Sequence, residues 1–199
     1  MKKVLSVAVL ILALAFVFCS CGGKNSDSQT ETSAHQKVEF TMKDGGSFVV
    51  ELYPEYAPET CENFINLVNE KFYDGLTFHR VIEGFMAQGG DASGTEKAGM
   101  AHTIHGEFSS NGFTQNTLSH ERGVISMART RIPDSASSQF FICLGNPTFL
   151  DGNYAAFGRV IEGMETVDGF LKVKRVMGAD GELSSPVEPI VIESARVIG

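Results

Sequence analysis

The chain has 199 residues, 43% of them hydrophobic and 20% charged, with a formal net charge of −8. That length suffices for one domain with a sizeable core. The acidic balance argues against nucleic acid as a partner, because phosphate contacts reward a basic face, and four cysteines without metal-ligand spacing argue against a zinc site.

The chain opens with Met1-Lys2-Lys3, followed by Val4 to Phe18, apolar but for Ser6. A transmembrane helix needs roughly 20 residues, so an export signal is the better reading and a membrane-spanning anchor the weaker one. The junction Phe18-Cys19-Ser20-Cys21-Gly22-Gly23 resembles a bacterial lipoprotein signal. That resemblance implies lipidation, with palmitate among the acyl groups, at Cys21, which follows the small Ser20. Phe18 departs from it, standing where leucine is preferred, and an ordinary secreted protein is the alternative. Residues 1–20 are then a signal peptide. Residues 21–36 are the lipidated cysteine and a tether, GGKNSDSQTETSAHQ, with almost no large apolar side chain to bury. Losing Lys2 and Lys3 leaves the rest more acidic still, so contact with the membrane is expected through the lipid alone. The expected location is extracytoplasmic, anchored to the bacterial cell membrane.

Residues 37–199 are the expected folded domain. Strand-like runs fall at Val38–Met42 and Ser47–Tyr53, separated by Asp44-Gly45. Pro58-Glu59-Thr60 opens a helix carrying Phe64, Leu67 and Val68 at helical spacing. Asp74-Gly75 precedes strands Thr77–Ile82 and Phe85–Gln88. Gly90 to Gly123 is loop-like, and a connection this long in a compact domain is often functional. Further strands are Val124–Ala128, Gln139–Leu144, Ala155–Val160 and Ile190–Val197, with a second helix from about Gly163 to Phe170 and turns at Asp151-Gly152, Asp168-Gly169 and Asp180-Gly181. Eight strands and two helices make the fold class mainly β: a closed antiparallel barrel capped by two α-helices. Cys61 falls in a helical pattern and Cys143 in a strand. Both are expected as buried thiols, although an extracytoplasmic setting would permit a disulfide.

One stretch resists a packing explanation. FHRVIEGFMAQGGD, residues 78–91, is apolar yet carries Arg80 and Gln88 and is broken by glycines. Together with GVISMARTRIPDSASSQFFICLGNPTFLDGNYAAFGRVIEGM, residues 123–164, it closely resembles the cyclophilin family of peptidyl-prolyl cis/trans isomerases, over about Val38 to the C-terminus. The resemblance implies an eight-stranded barrel with two capping helices, in agreement with the strand count.

Isomerase chemistry explains the composition. Rotation about an Xaa-Pro bond passes a state without amide resonance, at about 18–20 kcal/mol. No covalent bond breaks, so neither metal nor cofactor is needed. A catalyst must bind the twisted amide better than either planar form. By resemblance Arg80 is the catalytic arginine, donating to the lone pair of the pyramidal prolyl nitrogen. Gln88 holds substrate backbone near the turning carbonyl, where a preorganised donor favours the twisted state. Phe85, Met86, Phe141 and Leu150 match the proline pocket. Ala128, Arg129, Thr130 and Gln139 match the groove for residues before proline, with Arg129 standing where asparagine is frequent. Phe149 replaces a frequent tryptophan and Tyr154 a frequent histidine. Phe149 keeps an apolar wall but lacks the indole N–H, which implies reduced cyclosporin affinity with activity retained. The loop after Asp91 is expected to border the groove, near Gly94 and Thr95.

His79, His102, His105 and His120 are better read as structural or solvated than as metal ligands, and Ser135, Ser137 and Ser138 lack a nucleophile pattern. The expected partners are proline-containing polypeptide clients, exported proteins among them, and the expected state is a monomer. A non-catalytic module or chaperone holding proline segments is the alternative, and a structural envelope lipoprotein a third.

Overall fold

A computed structural model describes residues 35–198; the signal peptide, Cys21 and the tether up to Ala34 lie outside them. Strands β1 (Lys37–Met42), β2 (Ser47–Leu52), β3 (Thr77–Ile82), β4 (Met86–Gly89), β5 (Val124–Met127), β6 (Phe140–Cys143), β7 (Ala156–Glu162) and β10 (Ile190–Ile198) close into an antiparallel barrel. Their order around it is β1-β10-β3-β4-β6-β5-β7-β2. The expected eight-stranded fold is therefore present. Strand β1 shows how the sequence specifies it, since Val38, Phe40 and Met42 are buried while Lys37, Glu39 and Thr41 are partly exposed. Inside the barrel Phe40 stacks on Phe48 with ring centroids 4.8 Å apart, and Phe64, Tyr73, Phe78, Phe140 and Phe157 complete an aromatic core.

Helix α1 (Pro58–Asn69) starts on proline and buries Cys61, Phe64, Ile65, Leu67 and Val68. Its N-cap, Ala57, makes no side-chain bond. Glu107, 2% exposed in the long loop, does that work. Glu59 N donates to its Oε1 at 3.0 Å, and Thr60 N and Oγ1 donate to its Oε2 at 2.8 and 2.7 Å. A carboxylate there satisfies orphan N–H groups and meets the positive end of the helix. Helix α2 (Met164–Gly169) buries Val167 and runs into a turn that buries Phe170.

Of the boundaries that differ from expectation, two do so for plain local reasons. Phe85 belongs to the turn between β3 and β4, its N–H bonded to Ile82 O, so β4 starts at Met86. Tyr53 falls outside β2 and is followed by Pro54, which has no N–H to continue a ladder. A small two-stranded sheet, β8 (Arg175–Met177) with β9 (Leu183–Pro186), was not expected at all; β9 packs beside β3. Cys61 and Cys143 are buried free thiols, their pKa values pushed up to about 12 by burial.

Candidate active-site groove

Cross-strand register builds the site. Arg80 pairs with Gln88, Gln88 with Phe141, and Phe141 with Ser126, so these four share one face across β3, β4, β6 and β5. The alternate register, Val81, Ala87, Ile142 and Ile125, lies on the opposite face and is buried in the main core. Successive side chains point to opposite faces of a sheet, which is how one short segment serves both core and groove. The outer face carries its own apolar cluster of Met86, Val124, Phe141, Cys143, Leu150 and Ala156, with Phe85, Ala128 and Tyr154 against it. All four residues of β5 and of β6 are buried because both faces are covered.

A pocket of about 200 Å³ opens over this cluster, lined by Arg80, Phe85, Met86, Gln88, Ala128, Arg129, Phe141, Leu150 and Tyr154. Gln88, Ala128 and Arg129 continue into a second recess with Thr130, Ser135, Ser137 and Gln139. Nine of the twelve candidate catalytic and binding residues thus meet in the first recess, and Thr130 and Gln139 join them through the second. Phe149 stands apart from both. It lies in the short turn Thr148–Leu150 that buries Leu150, is 73% exposed, and meets Phe85 with ring centroids 5.7 Å apart and planes tilted by 30°. A third recess shares Ser137 and Gln139 and is lined by Asp91, Ala92, Ser93 and Lys97, so the loop after Asp91 borders the groove. Gly94 and Thr95 are not among its lining residues.

The polar side chains are held in place. Gln88 Nε2 donates to Gln139 Oε1 at 2.9 Å. Arg80 Nε donates to Asp180 Oδ2, and its Nη1 lies 3.8 Å from Met86 Sδ. Asp180 sits in the connection between β8 and β9. The Arg80 hydrogen bond, then the Glu182 N–H and the Ser184 hydroxyl, hold its pKa down to about 2. Arg129 lies over the Tyr154 and Phe108 rings at 4.6 and 4.9 Å, and its Nε and Nη2 donate to Asn153 O. Its stem and guanidinium form a wall of both recesses.

Glycines permit the backbone path. Gly84 turns β3 into β4 at φ +70°, and Gly90 leaves β4 at φ +80°, where an added Cβ would lie 2.6 Å from Ser138 O. Ser138 in turn donates to Gly90 O at 2.9 Å and accepts from Tyr73 at 3.0 Å.

Behind Phe141 lies an arrangement with no sequence signal. His120, fully buried, stacks on Phe141 at 6.0 Å, with Nδ1 2.8 Å from Asp151 Oδ1 and Nε2 3.0 Å from Ser126 Oγ. The spacing is that of a nucleophilic triad, but Ser126 is also fully buried, so no substrate reaches its oxygen. Burial lowers the His120 pKa against the pull of Asp151. A neutral ring then donates from Nδ1 to Asp151 and accepts at Nε2 from Ser126, bracing Phe141 from behind.

Residues 37–197 match the family model described as cyclophilin type peptidyl-prolyl cis-trans isomerase. The chain is 47% identical over 126 residues to peptidyl-prolyl cis-trans isomerase B of Bacillus subtilis, covering 63% of this chain and 84% of that protein. It is 40% identical over 153 residues to peptidyl-prolyl cis-trans isomerase-like 1 of Gibberella zeae, covering 77% and 90%. Among solved structures, a cyclophilin type isomerase of Cryptosporidium parvum superposes with a TM-score of 0.68 at 29% identity, covering 83% of this chain and 98% of that one. The same protein determined in the presence of the dipeptide Ala-Pro gives a TM-score of 0.67 at 29% identity, covering 82% and 99%.

Proposed function

The chain belongs to the cyclophilin-type peptidyl-prolyl cis-trans isomerase family, and from that premise we propose how its groove turns an Xaa-Pro bond and where it does so. The protein is a peptidyl-prolyl cis-trans isomerase that acts on proline-containing polypeptides. The proline ring enters the socket of Phe85, Met86, Phe141 and Leu150, which suits a rigid apolar ring. With the ring held, the preceding residue swings. Loss of resonance leaves a lone pair on the prolyl nitrogen, and Arg80 donates to it from the rim of the socket. Gln88 meets the substrate backbone, while Ala128, Arg129, Thr130 and Gln139 support the residues before proline.

Both donors are fixed before substrate arrives, so they favour the twisted amide without reorganising at the moment of rotation. A preference of about 4 kcal/mol for that state gives roughly a thousandfold acceleration. The observation that carries this reading is the register that sets Arg80, Gln88 and Phe141 side by side on one face. Its test is Ala-Pro peptide exchange followed by NMR, with the full chain in detergent micelles beside Arg80→Ala. At least a roughly tenfold loss supports it. Equal, near-background rates would leave a module that holds proline without turning it.

The protein works outside the cytoplasmic membrane, lipid-anchored through Cys21, as a monomer that assists folding of exported proteins. Met1–Lys3, the apolar run to Phe18, Ser20 before Cys21 and the polar stretch to Gln36 support the anchor. Labelled palmitate should enter the parent and fail to enter Cys21→Ala. Label in both would remove the anchor from the account.

A further inference from the structure

We propose that Asp180 is a positioning residue, its carboxylate, carried between β8 and β9, holding the Arg80 guanidinium in the orientation that serves the pocket. This rests on the reading of Arg80 as the group that meets the prolyl nitrogen. Nothing in the motif around Arg80 foretells the contact, which joins residues 100 apart in sequence.

Both oxygens of Asp180 are committed. Oδ2 accepts from Arg80 Nε, while Oδ1 accepts from Glu182 N at 3.0 Å and Ser184 Oγ at 2.9 Å. Gly178 and Gly181 close the turn through Gly178 N to Glu182 O and Gly181 N to Gly178 O. The carboxylate is thus fixed by its own hairpin before it meets arginine. Arg80 and Asp180 side chains are 30% and 24% exposed, so screening makes the pair a weak source of stability. Its geometric effect is larger. The bond occupies Nε and leaves the amino groups without a carboxylate hydrogen bond among the described residues, with Nη1 against Met86 Sδ in the pocket lining. An unanchored arginine samples many rotamers, and misplacement of a donor by an ångström is enough to slow a reaction. The carboxylate also tempers the guanidinium's charge. Orientation and charge therefore push in opposite directions, and the measurement separates them.

Peptide exchange is measured for the full chain in micelles with Asp180→Ala, Asp180→Asn, Arg80→Ala and the Asp180→Ala/Arg80→Ala double variant. The expected result is a roughly tenfold fall in kcat for Asp180→Ala with KM changed less than about twofold, because the proline socket is untouched. Asparagine, which can still accept from Nε, loses less. In the Arg80→Ala background the alanine change at 180 has no further effect. The Arg80 Nε–H signal, slow to exchange with water in the parent, exchanges faster in Asp180→Ala. A parent-like kcat in Asp180→Ala beside an impaired Arg80→Ala overturns the positioning role alone. The same fall in both backgrounds overturns it too, by assigning the effect to hairpin stability. A parent-like Arg80→Ala would remove the reading beneath it.

Discussion

Replacing Glu107 by glutamine tests whether one buried carboxylate couples the long loop to helix α1. Glutamine keeps one acceptor oxygen and turns an amide group toward an N–H donor. If its oxygen takes the Oε2 place, Thr60 N and Oγ1 keep an acceptor, now neutral, while Glu59 N faces another donor. Hydrogen bonds to a charged group contribute about 1.5–3 kcal/mol and neutral ones about 0.5–1.5, so the direct loss is about 3–5 kcal/mol. Burying a neutral amide in place of a charge returns part of this, leaving about 2–3 kcal/mol. For a domain this size that lowers the Tm by roughly 5–10 °C. Urea unfolding followed by circular dichroism should show a lower midpoint at unchanged slope. Native-state exchange of the Thr60 amide should accelerate. A stability change below about 0.5 kcal/mol, with Thr60 still protected, would show that the helix does not depend on this carboxylate.

Phe141→Ala removes one wall of the proline socket while leaving Arg80 in place. KM should rise about tenfold with kcat within roughly threefold, and a fall in kcat alone would contradict a binding role. Phe149→Trp restores an indole N–H at an exposed position beside Phe85. Cyclosporin should bind the parent weakly and the variant at least about tenfold more tightly in a fluorescence titration, a gain of about 1.4 kcal/mol; equal affinities would deny that position its role. Burial lowers the pKa of His120 and His79. Above about pH 6.5 neither state binds these protons, but below it the unfolded chain takes them up first, so stability falls as pH drops toward the folded values. The urea midpoint at pH 5 should lie below that at pH 7.5. A midpoint that is equal or higher would show that these rings are not held neutral.

Much of the fold was legible because it is written in local repeats. Alternation in Val38–Met42, the Asp-Gly turns and the proline at the head of α1 are consequences of backbone geometry within a few residues, and they located every barrel strand to within about two positions. The motif around Arg80 and Gln88 stood out by its mixed composition, a local departure from core packing, and its resemblance to the cyclophilin family is what pointed to the groove. The β8–β9 hairpin escaped because its strands are short and mostly exposed, with Val176, Met177 and Leu183 facing out and no alternation to read. Phe149 and Leu150 are adjacent and both apolar, yet a short turn buries one and presents the other to solvent.

By itself the sequence determined which residues alternate, where the chain turns, and which arginine and glutamine stand among apolar neighbours. Only the closed barrel decided that Asp180 meets Arg80, that Glu107 serves the start of α1, and that Ser126, His120 and Asp151 align behind Phe141. Strand and turn preferences act over a few residues and leave a periodic trace. A hydrogen bond between residues 48 or 100 positions apart exists only once the barrel closes and sets their separation, and neither partner's neighbours record it.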